Sequence, residues 1–289
     1  MVEPQPSKLM TWVRFPLPAP KINVTRMKVV TFFMFMRKVM ELNVENAKEV
    51  LREYLGESNP KKYAHSLRVA DVAGKLAKKW RVNSEEAVIT ALLHDIGKSM
   101  KREEMLSFCM KHNIDITDFE MYDNQEALHG KISAYLFKLE FMDGEDGKRT
   151  SKRTLRKIAH AIESHVAGSE EMSLLDKIIF LADNIESKKD GEQILESILR
   201  DKKRRPGRYI GRIIDRKIQE AINNTRIPNP GLLAAISNGP EGDSRRKRFV
   251  RAIQDISDAQ RLEIQSKNKE QERVMVIVNA TNPMPILDR

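Results

Sequence analysis

Apolar side chains recur every three or four residues through the middle of this chain, from Asn43 to about Asp190. This spacing lines up apolar residues on one face of an α-helix and does not fit the two-residue period of a half-buried strand. One stretch shows it over several turns, with apolar residues at Val69, Val72, Ala73, Leu76 and Trp80. The pattern predicts an all-α fold in which each helix buries one face.

Local start and stop signals divide this region into separate helices. Gly56 and Gly97 are natural helix ends. Asn83, followed three residues later by Glu86, has the pattern of a capping box at a helix start. The predicted helices are Val44–Leu55, Lys61–Trp80, a helix from Asn83 to the stop at Gly97, Glu103–Lys111, Asn124–Phe141, Thr154–His165 and Ser173–Ser187.

The two ends of the chain differ from this helical region, which predicts three parts. Residues 1–42 begin rich in proline and show no period, so we interpret them as an extension and expect the true start at Met27 or Met40. Residues 43–191 are predicted to form the helical domain. Residues 192–289 are predicted to be a basic extension that is partly helical.

Shorter segments carry further expectations. Residues 143–153 are charged, contain glycine and lack apolar spacing, which predicts an exposed loop. In the extension, Tyr209–Asn223 is predicted as a helix and Val274–Val278 as a strand. Basic runs at Lys202–Arg205 and Arg245–Arg248 give the extension its charge.

Composition bounds the class of protein. A net charge of +10 predicts a basic surface, which favours polyphosphates, nucleic acids or anionic membranes as neighbours. One cysteine, Cys109, excludes an intramolecular disulfide and a thiolate-rich zinc site. The apolar run Val29–Met36 is too short to span a bilayer. We therefore expect a soluble, cytoplasmic protein with no membrane partner, and the sequence leaves a homodimer open.

Several residues of metal-ligand type fall on the apolar helical faces or at helix ends. A lone histidine on such a face is more often a hydrogen-bonded core residue than a ligand. Asp183, however, follows a wholly apolar run, and a buried carboxylate there requires a cation. Histidine and carboxylate donors together suit iron, manganese or zinc. The candidate metal ligands are His65, His94, Asp95, His129, His165 and Asp183.

Two further histidines are excluded from this candidate site. The helical neighbours of His160 are polar or charged, which predicts an exposed face. His112 lies between Lys111 and Asn113 at a predicted helix end. Both are expected to lie outside the metal site.

From Asn46 to Asp190 the sequence resembles the HD-domain phosphohydrolases, and within them the YqeK group of bacterial symmetrical bis(5'-nucleosyl)-tetraphosphatases. The segments that carry the resemblance are Tyr63–Val69, Leu92–Lys98, Leu128–Gly130, His165 and Met172–Glu186. The resemblance implies an HD-domain helical bundle. It also implies hydrolysis of diadenosine tetraphosphate and related dinucleotides to two nucleoside diphosphates.

The resemblance also implies a centre of two divalent metal ions, with iron as the first choice and manganese or zinc as alternatives. Asp95 would bridge the ions. His65, His94 and Asp183 would hold one ion, and His129 and His165 the other. Such a centre supplies an activated water and neutralises charge on phosphoryl oxygens.

A polyphosphate substrate requires cations near the metals. Lys98, in a turn just beyond Asp95, is predicted to act there as a catalytic and substrate-binding residue, and Arg68, one turn from His65, as a phosphate ligand. The sequence departs from the family after His165, where it lacks the usual arginine. It departs again after Glu186, where Lys189 is interpreted as the replacement cation.

Two alternatives remain open at this point. The same metals could serve hydrolysis of another nucleotide, such as a mononucleotide or a cyclic dinucleotide, because the departures affect positions that face the substrate. Alternatively, the basic extension could contact RNA and the helical domain could sense a nucleotide. Few aromatic residues accompany the basic runs, which disfavours the RNA hypothesis.

Overall fold

The structure is a computed structural model, which describes residues 40–117, 119–142, 150–169, 171–202, 205–224, 232, 235, 244–251, 254, 255 and 258. Over these residues all regular structure is helical, which confirms the all-α prediction. The main helices are α1 (Val44–Leu51), α2 (Pro60–Trp80), α3 (Ser84–Leu93), α4 (Arg102–Lys111), α5 (His129–Phe141), α6 (Lys152–Ser164), α7 (Leu174–Glu186), α8 (Gly191–Arg200) and α9 (Pro206–Asn223).

Side-chain caps fix where several of these helices begin. The Asn59 side chain accepts a hydrogen bond from the backbone of Lys62 at the start of α2, and Asn83 caps α3 in the same way. Ser173 and Asp176 form a reciprocal capping box at the start of α7. These caps satisfy backbone N–H groups that lack partners within the first helical turn.

Short non-α turns replace the ends of three predicted helices. Arg52–Gly56 forms a π turn after α1, and Gln125–Leu128 forms a 3-10 turn before α5. The third predicted helix ends at Leu93 rather than near Gly97, because Asp95 adopts φ −109° and ψ 8° and a 3-10 turn follows. Because of this break, the Asp95 carboxylate points in a different direction from the one it would have in a continuous helix.

Gly97 is required at this break by a close approach to α5. A Cβ atom at residue 97 would lie 2.5 Å from the backbone oxygen of His129 and 3.0 Å from the Ser133 backbone nitrogen. The Gly97 backbone N–H instead donates to the Ser133 hydroxyl at 2.9 Å. The missing side chain therefore brings the turn after α3 against the start of α5.

The core lies around α7, which packs against α2, α3 and α6. Five consecutive residues of α7 are completely buried: Ile178, Ile179, Phe180, Leu181 and Ala182. A helix that is apolar on all sides belongs at the centre of a bundle. Helices α2 and α3 pack against each other, as do α5 and α6, so that residues far apart in sequence surround the C-terminal half of α7.

Helix α9 lies in the predicted extension and packs against α7. It begins at Pro206, three residues before the predicted helix start, and ends at Asn223 as predicted. Its buried apolar residues are Tyr209, Ile210, Ile213, Ile214 and Ile218. The division into parts at residues 42 and 191 stays a prediction, but this helix shows that residues beyond 191 contribute to the packed bundle.

Other expectations fall partly or wholly outside the described residues. The Val274–Val278 strand and most of the proposed 143–153 loop lie there. Lys152 and Arg153, placed in the loop from sequence, belong to α6, because Ser151 caps that helix. Among the helices that the structure describes, none is long and apolar enough to cross a membrane.

Part of the basic charge of the extension is used within the protein. Arg245 and Arg248 both form ion pairs with Asp215 of α9, at 3.1 and 2.8 Å. These two members of the predicted Arg245–Arg248 basic run therefore do not simply face solvent as an unpaired nucleic-acid surface. The RNA contact stays a prediction.

Candidate metal centre

Five different parts of the chain bring the six predicted ligands together. His94 and Asp95 directly follow α3, His129 is the first residue of α5, and His165 directly follows α6. His65 and Asp183 lie within α2 and α7. The four histidines and Asp95 are buried, whereas the Asp183 side chain is 25% exposed, not buried as expected from its apolar neighbours.

The two carboxylate oxygens of Asp95 face two different groups of ligands. Its Oδ2 atom lies 3.6 Å from His94 Nε2 and 3.8 Å from His65 Nε2. Its Oδ1 atom lies 3.3 Å from His129 Nε2 and 3.4 Å from His165 Nε2. Asp95 therefore stands between two clusters of possible metal donors.

Asp183 completes the first cluster. Its Oδ1 atom lies 3.0 Å from His65 Nε2 and 3.8 Å from His94 Nε2. The donor atoms of His65, His94 and Asp183 are all close enough together to hold one ion, and so are those of His94, Asp95 and His165. Donor sets of imidazole and carboxylate suit the first-row metals zinc, iron and manganese.

Backbone carbonyls fix the orientation of three of the imidazole rings. His94 Nδ1–H donates to the Ala91 oxygen at 2.6 Å. His129 and His165 donate in the same way to the carbonyls three residues before them, also at 2.6 Å. Each bond uses the Nδ1 proton and leaves the Nε2 lone pair facing Asp95, which is how histidines are commonly prepared for metal binding.

A carboxylate performs this task for His65. Its Nδ1 atom is in hydrogen-bond contact with Glu186, which also contacts Arg68. Glu186 thereby sets the ring so that Nε2 faces Asp183 and Asp95. A carboxylate, a histidine and a metal arranged in series are common in metal centres, because the carboxylate raises the basicity of the imidazole.

The contacts between these donors fit a bound cation. His129 Nε2 and His165 Nε2 lie 3.1 Å apart, and with both Nδ1 protons on carbonyls two lone pairs would face each other. His94 Nε2 and Asp95 Oδ1 are buried and have no hydrogen-bond partner among the described residues. Such atoms are costly to bury alone, so the residues present fit metal binding.

The ionisation of the cluster follows from the same contacts. Burial alone would raise the pKa of Asp95, but the neighbouring His94, His129 and His165 hold that pKa well below its usual range. Burial lowers the pKa of His165 to about 4. Partial desolvation alone would raise the pKa of Asp183, but hydrogen bonds with His65 and His94 hold that pKa well below its usual range. The carboxylates are thus charged and the His165 ring is neutral, the states in which these groups bind metals, whereas Asp95 and Asp183 outweigh burial and raise the pKa of His94.

Two lysines reach Asp95 directly. Lys98 Nζ donates to Asp95 Oδ2 at 2.9 Å, whereas its role as a catalytic and substrate-binding residue stays a prediction. Lys62 Nζ lies 3.6 Å from the same oxygen and was missed from sequence. Its position three residues before His65 places it on the same face of α2, which was the signal available.

The other predicted cations lie differently. Arg68 is near the centre, but its guanidinium contacts Glu186, which was not singled out as a functional residue. Glu186 lies three residues after Asp183, so helical spacing could have identified it. Lys189 is exposed in the turn after α7, with no contact to the candidate ligands among the described residues.

A further cation near the centre comes from the extension. Lys217 of α9 lies with its Nζ atom 5.6 Å from the centre of the Phe180 ring. Burial lowers the pKa of Lys217, and the charge of Asp183 opposes this effect. No local pattern in the sequence connects Lys217 with residues of α7.

His160 and His112 lie outside the cluster, as predicted. His160 is half exposed and its Nδ1 atom lies 3.0 Å from Asp176 Oδ2 at the start of α7. The Tyr135 hydroxyl lies 2.9 Å from Nδ1 of His112, whose ring stacks near Phe108. Neither histidine is needed to complete the centre.

Comparison with known proteins identifies the same region of the chain as the one that forms the candidate metal centre. The HD domain family matches residues 63–188, which contain all six candidate ligands. A symmetrical bis(5'-nucleosyl)-tetraphosphatase of Staphylococcus aureus is 30% identical over 145 residues, covering 50% of this chain and 67% of that protein. The corresponding protein of Halalkalibacterium halodurans is 31% identical over 146 residues, covering 50% of this chain and 70% of the relative.

A solved structure supports the fold. The crystal structure of a predicted HD superfamily hydrolase from Clostridium acetobutylicum, described as involved in NAD metabolism, superposes with a TM-score of 0.55. It is 24% identical in sequence, and the match covers 74% of this chain and 99% of that one. The structural match covers a larger share of this chain than the family match over residues 63–188. The likeness in fold therefore extends beyond that stretch.

Proposed function

This chain belongs to the HD-domain family of metal-dependent hydrolases that includes the symmetrical bis(5'-nucleosyl)-tetraphosphatases, and from that membership we propose that it cleaves dinucleoside tetraphosphates such as diadenosine tetraphosphate. The products would be two nucleoside diphosphates. The observation that carries the proposal is the placement of Asp95, whose two oxygens face two histidine clusters at 3.3–3.8 Å.

This placement supports the ligand assignment that the family resemblance implies. His65, His94 and Asp183 would hold one ion together with Asp95 Oδ2, and His129 and His165 would hold the other together with Asp95 Oδ1. Two divalent ions in such a centre would lower the pKa of a bound water and neutralise charge on the phosphoryl oxygens. Iron is the proposed metal, with manganese or zinc as alternatives, since all three accept nitrogen and oxygen donors.

The cations of the site are proposed to hold the phosphate chain. Lys98 and Lys62 both point at Asp95 Oδ2, where they offset the negative charge of the cluster and could turn to phosphate oxygens. Arg68 is held by Glu186 at the edge of the site, with its side chain 60% exposed and able to reach a ligand. Lys189 is proposed as a more distant contact with the substrate.

The reaction joins water to the central phosphoanhydride. Oxygen of the water bonds to one of the two middle phosphorus atoms, and the bond from that phosphorus to the bridging oxygen breaks. The bridging oxygen leaves on the other diphosphate, and the attacking water releases a proton to solvent. Cations beside Asp95 that hold the phosphate chain with its middle at the metal centre would account for symmetrical cleavage.

A nucleotide panel with metal analysis tests this proposal. Protein purified without oxygen is analysed for metal content, then assayed with diadenosine tetraphosphate, a mononucleotide and a cyclic dinucleotide. We expect about two metals per chain and ADP as the sole product from the tetraphosphate. Formation of ATP with AMP would reject symmetrical cleavage. Cleavage confined to the other nucleotides would favour the alternative substrate, which the departures after His165 and Glu186 left open.

A further inference from the structure

Helix α9 brings a lysine from beyond residue 191 to the edge of the metal centre. The Lys217 ammonium lies 5.6 Å from the centre of the fully buried Phe180 ring. Phe180 precedes Asp183 by three residues, so the two side chains lie on neighbouring positions of one face of α7. Lys217 therefore approaches the centre on the side of Asp183. Lys62 and Lys98 instead approach Asp95.

The neighbouring cations have carboxylate partners, whereas Lys217 does not. Lys188 and Arg216 both lie 3.5 Å from Glu220, and Arg245 pairs with Asp215. Among the residues that the structure describes, Lys217 has neither a hydrogen bond nor an ion pair; the centre of the Phe180 ring lies 5.6 Å from its charge, and Asp183 and Glu220 act on that charge from beyond ion-pair distance. A partly buried ammonium without a direct anionic partner is stabilised when a ligand supplies one.

Space for an extended ligand lies along the same two helices. Ile210 and Ile214 of α9 and Lys177 of α7 line a cavity of about 200 Å³. Ile214 precedes Lys217 by three residues, and Lys177 precedes Asp183 by six, which is about 9 Å along a helix. Lys217 is thus placed between this cavity and the metal ligand Asp183.

We propose that Lys217 is a substrate-binding residue that holds phosphate oxygens on the Asp183 side of the centre, so that the chain beyond residue 191 forms part of the active site. The inference rests on the proposed function in taking a phosphate chain as the ligand. It assigns a role to α9 that neither the family match, which ends at residue 188, nor the sequence pattern provides. With Lys98 and Lys62 at Asp95, a lysine at Asp183 would place cations on two sides of the scissile bond.

Binding of the product ADP to metal-loaded full-length protein tests this role, with adenosine as the phosphate-free comparison. Lys217→Met should bind ADP about tenfold more weakly, because a hydrogen bond to a charged group is lost. Adenosine binding and metal content should not change. Lys217→Arg, which keeps a cation, should recover most of the ADP affinity. Arg212→Met is the matched control, since it removes a charge from an exposed position of the same helix.

The outcomes separate this inference from the proposed function. Unchanged ADP affinity in Lys217→Met would overturn it, and so would an equal loss in Arg212→Met. Loss of adenosine binding and metal along with ADP would show a structural role instead and would also overturn it. If the unaltered protein fails to cleave diadenosine tetraphosphate while the ADP results hold, the proposed substrate falls but the phosphate contact of Lys217 stands.

Discussion

Glu186 offers a sharp test of the centre, because it touches one metal cluster and not the other. Its carboxylate contacts His65 Nδ1 and Arg68, and its side chain is only 10% exposed. Glu186→Gln keeps the size of the side chain and one acceptor oxygen but removes the charge. The His129 and His165 rings are fixed by backbone carbonyls instead, so the change leaves them untouched.

The expected magnitude follows from these contacts. A charge-assisted hydrogen bond is roughly twice as strong as a neutral one, and the Arg68 pair contributes little since Arg68 is 60% exposed. Loss of a partner that orients a metal-bound histidine costs about 10–100-fold in metal affinity. We therefore expect Glu186→Gln to bind the ion of the His65 cluster about 10–100-fold more weakly and the other ion as before.

Stepwise metal removal measures this difference. The unaltered protein, Glu186→Gln and the exposed control Glu192→Gln are dialysed against increasing chelator concentrations and analysed for metal per chain. Glu186→Gln should fall from two metals to one well before the other two proteins do. Equal weakening of both ions, or no weakening at all, would refute the division of the ligands into two clusters about Asp95.

Three further predictions follow from other contacts. Asp95→Asn should lose most of both metals and nearly all hydrolysis, because its two oxygens face both clusters; elemental analysis showing two retained metals would contradict this. Gly97→Ala should destabilise the protein by about 1–3 kcal/mol in thermal unfolding, since a Cβ would lie 2.5 Å from the His129 oxygen, and an unchanged melting temperature would count against that contact. Burial raises the pKa of the Cys109 thiol to about 11, so iodoacetamide at pH 8 should label it slowly in the native protein and readily in guanidinium, with equal rates speaking against burial.

The helices and most of the candidate ligands were predictable from sequence, because helical spacing and caps are local signals. Spacing placed His65 on an apolar face, and that side chain is buried. The same reasoning excluded His160, which is half exposed. For Asp183 the prediction was wrong in one respect, because its apolar neighbours suggested a buried side chain whereas that side chain is 25% exposed.

The break after α3 shows a different limit. Sequence placed the helix end near Gly97, but the helix ends at Leu93. The reason is tertiary, because the turn must pass so close to His129 and Ser133 of α5 that only glycine fits. A helix start or stop signal in one segment carries no information about which other segment packs against it.

By itself, then, the sequence determined an all-helical bundle, a set of inward histidines and carboxylates, and a family of metal-dependent hydrolases. Only the tertiary structure decided which oxygen of Asp95 faces which histidines, how Glu186 orients His65 across 121 residues, and that Lys217 of the extension lies beside Phe180 of α7. The physical reason is that helical spacing fixes the direction of a side chain about its own axis. The neighbour it meets depends on which helix faces pack together.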